Sequence, residues 1–188
     1  MSQTDTILRR LDGSMAAIGS LRDQVERIDA VGAAVIDRLN RGGTLYTAGN
    51  GGSAAQALHL AEELIGRYRG NRPALRAVCL NADPTAMSCI ANDFGYERVF
   101  ARQCEALLRA DDVLLVLSTS GKSPNLVEAL KVAREGGTLT VGLLGSTGGL
   151  CGPLCDHEIT IETTDSAFVQ EAHQVVVHLL CEMIEESR

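Results

Sequence analysis

The chain has 188 residues, of which 45% are hydrophobic, and this suits one compact domain. Its formal net charge of -7 argues against nucleic acid as a main partner, because duplex binding depends on Lys and Arg neutralising phosphates. No uncharged apolar stretch approaches the ~18 residues of a membrane span. Residues 1–12 include charged side chains and no long apolar run. We therefore expect no membrane segment, no signal peptide and a cytoplasmic location.

The six cysteines do not have the paired spacing of a zinc ribbon. Cys79 and Cys181 lie in apolar runs and are expected to be buried in the core. Cys151 and Cys155 are the only close pair, and their three-residue gap is wrong for Cys-x-x-Cys redox chemistry. Packing is the expected role of Cys79, Cys181 and the Cys151–Cys155 pair.

The first forty residues have helical periodicity. Apolar residues recur three or four apart almost throughout, at positions 7, 8, 11, 15, 18, 21, 25, 28, 31, 35 and 39. The pattern is too long for one ordinary helix, so it predicts two helices with a break between Arg22 and Ala30. A core sheet buries only one side of each helix, so the surplus apolar surface predicts a homo-oligomer, with 1–42 as the oligomerisation segment.

Residues 43–188 alternate between short apolar runs and helical stretches. The runs at 44–48, 76–80, 113–117, 139–144 and 158–161 predict a five-stranded, doubly wound parallel sheet of the α/β class, with helices on both faces. Residues 167–186 predict one long final helix with a buried stripe of Val169, Ala172, Val176, Val177, Leu180 and Ile184. No linker is apparent, so 1–188 is expected to be a single domain.

Two hydroxyl-rich glycine loops, 49–53 and 118–123, each follow an apolar run and precede a helical one. Glycine lets the backbone approach an anion, hydroxyls donate to its oxygens, and the N–H groups at a helix start add partial positive charge. The loops therefore predict a phosphate cradle. Neither loop matches the nucleotide-binding glycine motifs, so a nucleotide is not the favoured ligand. A related turn, 145–149, follows the fourth strand, and ligands collect where such loops flank a crevice between neighbouring strands.

The helix after the first loop carries His59 and Glu63 four residues apart, hence on one face. An acid and base pair is one interpretation, and a solvated Glu62–Glu63 pair beside a surface histidine is the other. The final helix offers Gln170, Glu171, His173 and His178. His178 interrupts an apolar run, and from this pattern it is either a core histidine or a functional one.

Several motifs occur together in one order along the chain. They are Gly49-Asn50-Gly51-Gly52-Ser53, His59-Leu60-Ala61-Glu62-Glu63-Leu64, Gly66-Arg67-Tyr68-Arg69, Asn71-Arg72-Pro73, Ala91-Asn92-Asp93-Phe94-Gly95, Ser118-Thr119-Ser120-Gly121, and Gln170-Glu171-Ala172-His173 with His178. In this combination the chain resembles the phosphosugar isomerases of the SIS fold, which is flavodoxin-like, and specifically those that act on sedoheptulose 7-phosphate.

The resemblance implies an aldose-ketose isomerase that makes a heptose 7-phosphate for nucleotide-activated heptose. Glu63 would move a proton between C1 and C2 through an enediol, with His178 as its partner acid or base. It also implies a homotetramer with sites at subunit boundaries. The implied substrate-binding residues are Asn50, Gly51, Gly52, Ser53, Arg67, Asn92, Asp93, Ser118, Thr119, Ser120, Ser123 and Gln170.

Some relatives bind zinc through residues matching His59, Glu63, Gln170 and His178. An amide oxygen is a poor zinc ligand, so such a site would be weak or exchangeable. A zinc-bound carboxylate is also less basic, so zinc could orient the substrate or block the base. The two roles of Glu63 compete, and the sequence leaves both open.

Two departures from the resemblance stand out. Phe168 replaces a frequent arginine before Gln170, which removes a cation near the sugar, and Lys122 replaces a frequent asparagine, which adds one near the phosphate. Two other functions are considered: a non-catalytic SIS regulator of the DnaA-binding type, and an isomerase of another phosphosugar. The presence of Glu63 and His178 favours an enzyme over the regulator.

Overall fold

The computed structural model describes residues 2–188, which begin with two helices. Helix α1 spans Gln3–Gly19, a short 3-10 turn spans Ser20–Gln24, and α2 spans Val25–Asn40. Ser2 caps α1, because its hydroxyl accepts from the Asp5 N–H at 3.1 Å and the Asp5 carboxylate accepts from the Ser2 N–H at 2.9 Å. The predicted break is present, although the turn starts two residues before Arg22.

The sheet has five parallel strands in the order β2-β1-β3-β4-β5. The strands are β1 (Leu45–Gly49), β2 (Ala77–Cys79), β3 (Val113–Ser118), β4 (Leu139–Gly145) and β5 (His157–Ile161). Every residue of β1, β3 and β4 is buried, as expected for strands covered on both faces. The doubly wound α/β prediction is confirmed.

Helices cover both faces of the sheet. They are α3 (Gly52–Ile65), α4 (Pro84–Phe94), α5 (Ala101–Leu107), α6 (Pro124–Glu135) and α7 (Ser166–Glu186). One apolar core lies between the sheet and helices α2, α3 and α7. A second lies on the opposite face of the sheet, under helices α4, α5 and α6. The residues predicted as the buried stripe of α7 are all buried.

The cysteines are all free, and Cys79 and Cys181 are buried as predicted. Burial raises the pKa of the Cys104 and Cys181 thiols to about 12, so both stay protonated. Cys155 donates to the Cys151 carbonyl at 3.3 Å, so this pair is a local packing contact. Among residues 2–188, no helix combines the length and apolar character that crossing a membrane needs.

The outer face of α1 is apolar and exposed. Ile7, Leu8, Leu11 and Met15 are 54%, 55%, 55% and 63% exposed. The opposite side of α1 packs on α7, where the Phe168 ring lies against Gly13. The helix therefore has one buried side and one apolar side open to solvent, as its periodicity predicts.

Candidate active site

The glycine loops lie at the point where the winding of the sheet reverses. Strands β1 and β3 are neighbours, with Gly49 opposite Leu117, yet α3 and α6 leave them toward opposite faces. Connections that diverge in this way open a crevice at the carboxyl ends of the two strands. Both hydroxyl-rich loops therefore reach one crevice, where two helix N-termini also begin.

The first loop needs its glycines for close approach. A Cβ on Gly49 would lie 2.6 Å from the Ser53 carbonyl oxygen, and one on Gly52 would lie 2.7 Å from the Gln170 amide nitrogen. Gly51 has φ +57°, a left-handed conformation that glycine adopts without strain. Ser53 is buried in the first turn of α3. The loop thus brings backbone that no side chain covers, and one hydroxyl, to the start of a helix.

The second loop is held by its own hydroxyls. Ser118 Oγ accepts from the Gly121 N–H at 3.0 Å, and Ser120 Oγ accepts from the Lys122 N–H at 3.2 Å. Thr119 Oγ1 lies 3.2 Å from Ser166 Oγ at the start of α7. A hydroxyl that accepts from the backbone keeps its proton for a ligand. The Ser118 and Ser120 hydroxyls can therefore donate to an anion in this loop.

An amide pair joins the two loops. Asn50 Nδ2 donates to Asn125 Oδ1 at 3.0 Å, and Asn125 Nδ2 donates back to Asn50 Oδ1 at 2.9 Å. Tyr96 adds its hydroxyl to Asn50 Oδ1 at 3.1 Å. Asn125 is buried in the first turn of α6. Its position two residues after Ser123 is the sequence signal for this role, and Asn125 was absent from the predicted site.

Helices α3 and α7 bring the acid, base and histidine side chains together. His59 Nε2 lies 3.0 Å from Glu63 Oε1, and the His59 and His178 rings are 5.5 Å apart, edge to face. The Glu63 side chain is only 17% exposed. The contacts run in the same order along both helices, from Gly52 beside Gln170 to His59 beside His178. His59 therefore contacts both members of the predicted catalytic pair, Glu63 and His178.

A glutamine absent from the predicted site lies between the two histidines. Gln174 Nε2 is 3.0 Å from His59 Nδ1 and 2.9 Å from His178 Nε2. Gln170, which the resemblance placed in the metal shell, has its side-chain amide against Gly52 at the start of α3. Gln174 is one helical turn after Gln170 and one before His178, so its spacing was the signal that could have identified it.

Three predicted substrate-binding residues lie on the surface of the single chain. Arg67, Asn92 and Asp93 are exposed. Among the described residues, Arg67 donates to Asn71 Oδ1 at 3.4 Å and Asn92 donates to Asp93 Oδ1 at 2.8 Å. Asp93 precedes Tyr96, which reaches Asn50, so the end of α4 lies beside the first loop. The structure therefore leaves Asn92 and Asp93 on the surface at the end of α4 and Arg67 on the surface beyond the end of α3.

A cation lies beside the residue that replaces the expected arginine. The Arg10 guanidinium is 4.3 Å from the centre of the Phe168 ring, and its Nη1 is 2.8 Å from Asp165 Oδ2. Asp165 caps α7 by accepting from the Ala167 and Phe168 N–H groups. Arg10 of α1 therefore supplies a cation beside Phe168 at the start of α7. Lys122 is exposed on the second loop.

His173 is a core residue. It is fully buried, and its Nε2–H donates to the Leu144 carbonyl at 3.1 Å. Burial lowers the pKa of His173 to about 4, because the charged ring would lose its hydration there. His173 is therefore neutral at pH 7 and ties α7 to β4.

Three of the predicted metal ligands, His59, Glu63 and His178, lie where α3 faces α7. Oxygen or nitrogen atoms of His59, Glu62 and Glu63 all lie within 4.8 Å of one another. His59 Nδ1 and His178 Nε2 also lie 3.0 and 2.9 Å from one atom, Gln174 Nε2. Two imidazoles and a carboxylate are a good donor set for zinc. The two histidines can share one zinc ion if Gln174 moves, and Glu63, which lies at the other nitrogen of His59, must shift to join them.

Comparison with known proteins gives a consistent result. The SIS domain family matches residues 14–145. "Phosphoheptose isomerase 1" of Campylobacter jejuni is 48% identical over 86% of this chain and 87% of its own length. A phosphoheptose isomerase of Solidesulfovibrio magneticus is 44% identical over 87% of this chain and 79% of its own.

Solved structures agree with these relatives. A phosphoheptose isomerase from Francisella tularensis superposes with a TM-score of 0.95 at 30% identity, covering 99% of this chain and 100% of that one. A phosphoheptose isomerase from Neisseria gonorrhoeae superposes with a TM-score of 0.93 at 32% identity, covering 98% of this chain and 100% of that one. This chain therefore belongs to the SIS domain family and, within it, to the phosphoheptose isomerases.

Proposed function

We propose that this isomerase converts D-sedoheptulose 7-phosphate to D-glycero-D-manno-heptose 7-phosphate for nucleotide-activated heptose biosynthesis. The observation that carries the proposal is the mostly buried Glu63 carboxylate, hydrogen-bonded to His59 and facing the helix of His178. The helix that carries Glu63 starts at the glycine loop, so one rigid element connects the phosphate end of a substrate to the proton-transfer end. The names of the similar proteins support a heptose phosphate as substrate.

The proposed binding follows the crevice. Ser53, Ser118, Thr119, Ser120 and Ser123, with the backbone of Gly51 and Gly52, hold the phosphate. The two helix starts stabilise its negative charge, and water-exposed Lys122 adds a flexible cation. The remaining proposed contacts reach the sugar hydroxyls, and they are Asn50, Arg67, Asn92, Asp93 and Gln170.

The proposed chemistry is an internal proton transfer. Glu63 takes a proton from C1 of the ketose while the C2 carbonyl oxygen receives one from His178, which gives an enediol. Glu63 then returns its proton to C2, and the hydroxyl on C1 gives its proton to His178, which gives the aldehyde. No electron or atom enters or leaves overall. General acid and base groups of this kind contribute about 10²–10⁴-fold in rate.

The test replaces the base without changing its size. Glu63→Gln should lower turnover of sedoheptulose 7-phosphate by ~10²–10⁴-fold with little change in substrate binding. Glu135→Gln makes the same chemical change at the exposed end of α6 and should keep full activity. His178→Gln should resemble Glu63→Gln, and the double variant should be little worse than either, because both act in one step. Normal turnover in Glu63→Gln would refute the proposal.

The two alternative functions give different outcomes. A non-catalytic regulator would show no aldose product in the wild type. An isomerase of another phosphosugar would turn over a hexose or amino-sugar phosphate faster than sedoheptulose 7-phosphate. The retained Glu63 and His178 favour an enzyme, and the side-by-side assay of these sugars determines the substrate length.

We also propose that the protein binds zinc weakly. His59, Glu63 and His178 would be the strong ligands, with Gln170 as the family's fourth. When bound, zinc would polarise the sugar carbonyl and hydroxyl oxygens as a Lewis acid. The chain's own part is to direct the two imidazoles at one point, which Gln174 Nε2 occupies at 3.0 Å from His59 Nδ1 and 2.9 Å from His178 Nε2.

The proposed assembly is a homotetramer built on α1 and α2, with active sites near subunit boundaries. The exposed apolar row on α1 supports it, since Leu11 and its neighbours would otherwise face water. Leu11→Glu should lower the mass measured by sedimentation, whereas Arg9→Glu should not. The protein is also proposed to work in the cytoplasm, because its cysteines are unpaired, as in reducing compartments.

A further inference from the structure

Gln174 has an orientation set by a second glutamine. Gln56 Nε2 donates to the Gln170 carbonyl at 2.7 Å and lies 3.3 Å from Gln174 Oε1. A carbonyl oxygen can only accept, so the atom of Gln56 that faces it is the NH2 group. Gln56 therefore presents a donor to Gln174, and Gln174 must turn its own oxygen toward Gln56 and its NH2 toward the histidines.

The same amide then determines where each histidine carries its proton. The two hydrogens of Gln174 Nε2 point to His59 Nδ1 and His178 Nε2, at 3.0 and 2.9 Å. Both ring nitrogens must therefore accept. In the neutral rings the protons are on His59 Nε2, which donates to Glu63 Oε1 at 3.0 Å, and on His178 Nδ1. One side chain thus holds both imidazoles by the lone pairs that a metal would use.

A metal ion and the amide cannot use those lone pairs at the same time. Zinc binds imidazole nitrogens at ~2.0–2.1 Å, with the lone pair directed at the ion. The Gln174 NH2 group lies where the lone pairs of His59 and His178 converge, and its hydrogens carry partial positive charge. For both histidines to bind one ion, Gln174 must rotate away and lose both hydrogen bonds.

We propose that Gln174 competes with zinc for His59 and His178, and so lowers the zinc affinity of this chain. This inference rests on the proposed function only in the choice of metal ligands. The competition explains how Glu63 can serve as a base in a site with good zinc ligands, because the ion is kept weakly bound.

The test is zinc affinity measured on the apoprotein with a chromophoric chelator, which needs no enzymatic activity. Gln174→Leu removes the amide and should raise the affinity about tenfold, since two hydrogen bonds no longer oppose the ion. Gln174→Asn keeps the polarity but is one methylene too short to bridge the rings, and it should also raise the affinity. Gln3→Leu makes the same change at the exposed start of α1 and should leave it unchanged.

Each other outcome overturns the proposal. Equal affinity in wild type and both Gln174 variants would mean that the amide does not oppose the ion, and a lower affinity would mean that Gln174 is itself a ligand. Nitrogen-15 spectra of the neutral imidazoles give a second readout. The zinc-free wild type should show His178 protonated on Nδ1, and Gln174→Leu should lose that preference. Failure of the isomerase proposal would appear in the Glu63→Gln assay and not here.

Discussion

Asn50 and Asn125 exchange two side-chain hydrogen bonds, of 3.0 and 2.9 Å, across the crevice between β1 and β3. Asn125 is only 2% exposed, so its partner is the other amide and not bulk water. The pair joins the first glycine loop to the start of α6. It thereby fixes the distance between the two halves of the proposed phosphate cradle.

Removing Asn125 should lower both the stability of the fold and the binding of the sugar phosphate. Asn125→Ala removes two of the three hydrogen bonds of the Asn50 amide, which should lower the free energy of unfolding by ~1–3 kcal/mol. The Michaelis constant for the sugar phosphate should rise, because Asn50 is no longer held at the cradle. Urea unfolding and initial rates measure the two effects. Asn40→Ala, at the exposed end of α2, is the control, and equal effects from both variants would contradict the role of the pair.

Removing a cradle hydroxyl should weaken anion binding. Ser120→Ala and Ser118→Ala each delete a donor to a dianion, and such bonds contribute about 1.5–3 kcal/mol, so affinity should fall tenfold or more. Inorganic phosphate should lose potency as a competitive inhibitor in parallel. Ser187→Ala, near the end of the chain, should change neither constant. Unaltered phosphate inhibition in both loop variants would place the cradle elsewhere.

Adding one methyl group to the second loop should destabilise it. Gly121 has φ +62°, and a Cβ there would lie 2.0 Å from the Gly148 carbonyl oxygen. Left-handed backbone alone costs a non-glycine residue about 1–2 kcal/mol, so Gly121→Ala should lower the free energy of unfolding by at least that amount. Gly19→Ala is the matched control. Its Cβ would meet nothing within 4 Å at a helical φ of -59°, so it should be neutral or stabilising by ~0.4–1 kcal/mol.

Stability should fall in acid because of His173. Its pKa is about 4 in the fold against 6.5 when unperturbed, so the unfolded chain binds more protons between these values. The contribution of neutral His173 to the free energy of unfolding is complete above pH 6.5. It is lost as the pH falls toward 4, by on the order of 3 kcal/mol.

His173→Gln has no such titration and its amide can still donate to Leu144. Urea unfolding at pH 7 and pH 4.5 should show a smaller pH effect in the variant than in the wild type. An identical pH effect in both proteins would contradict a neutral buried ring.

Zinc content should depend on His59. The protein as purified should carry substoichiometric zinc, and His59→Ala should carry clearly less, because a lost ligand costs more than the ~10–100-fold of an outer-shell change. Elemental analysis measures this. Equal zinc in both would mean that the metal is bound elsewhere, as by the cysteines.

Chelation then separates the two roles of zinc. Activity that is lost on chelation and restored by zinc indicates metal-assisted isomerisation. Unchanged or increased activity leaves Glu63 as a free base.

Much of the fold followed from local patterns. Apolar runs located β1, β3 and β4 within about one residue, because a strand covered on both faces must be apolar throughout. The periodicity of 3.6 residues located the buried stripe of α7, because a helix that packs on one side is apolar along that side. The N-terminal break was less well located, since a 3-10 turn keeps much of the helical spacing and no proline or glycine pair marks it.

The sequence by itself determined the parallel sheet, the two glycine loops and the facing positions of His59 and Glu63, since each depends on residues close together in the chain. Only the tertiary structure decided that Asn125 joins the loops, that Arg10 covers Phe168, and that Gln174, not Gln170, lies between the histidines. These contacts join residues from 75 to 158 positions apart or depend on which turn of α7 faces α3. Helix packing sets that register, and a shift of one turn exchanges one glutamine for the other without altering the local pattern.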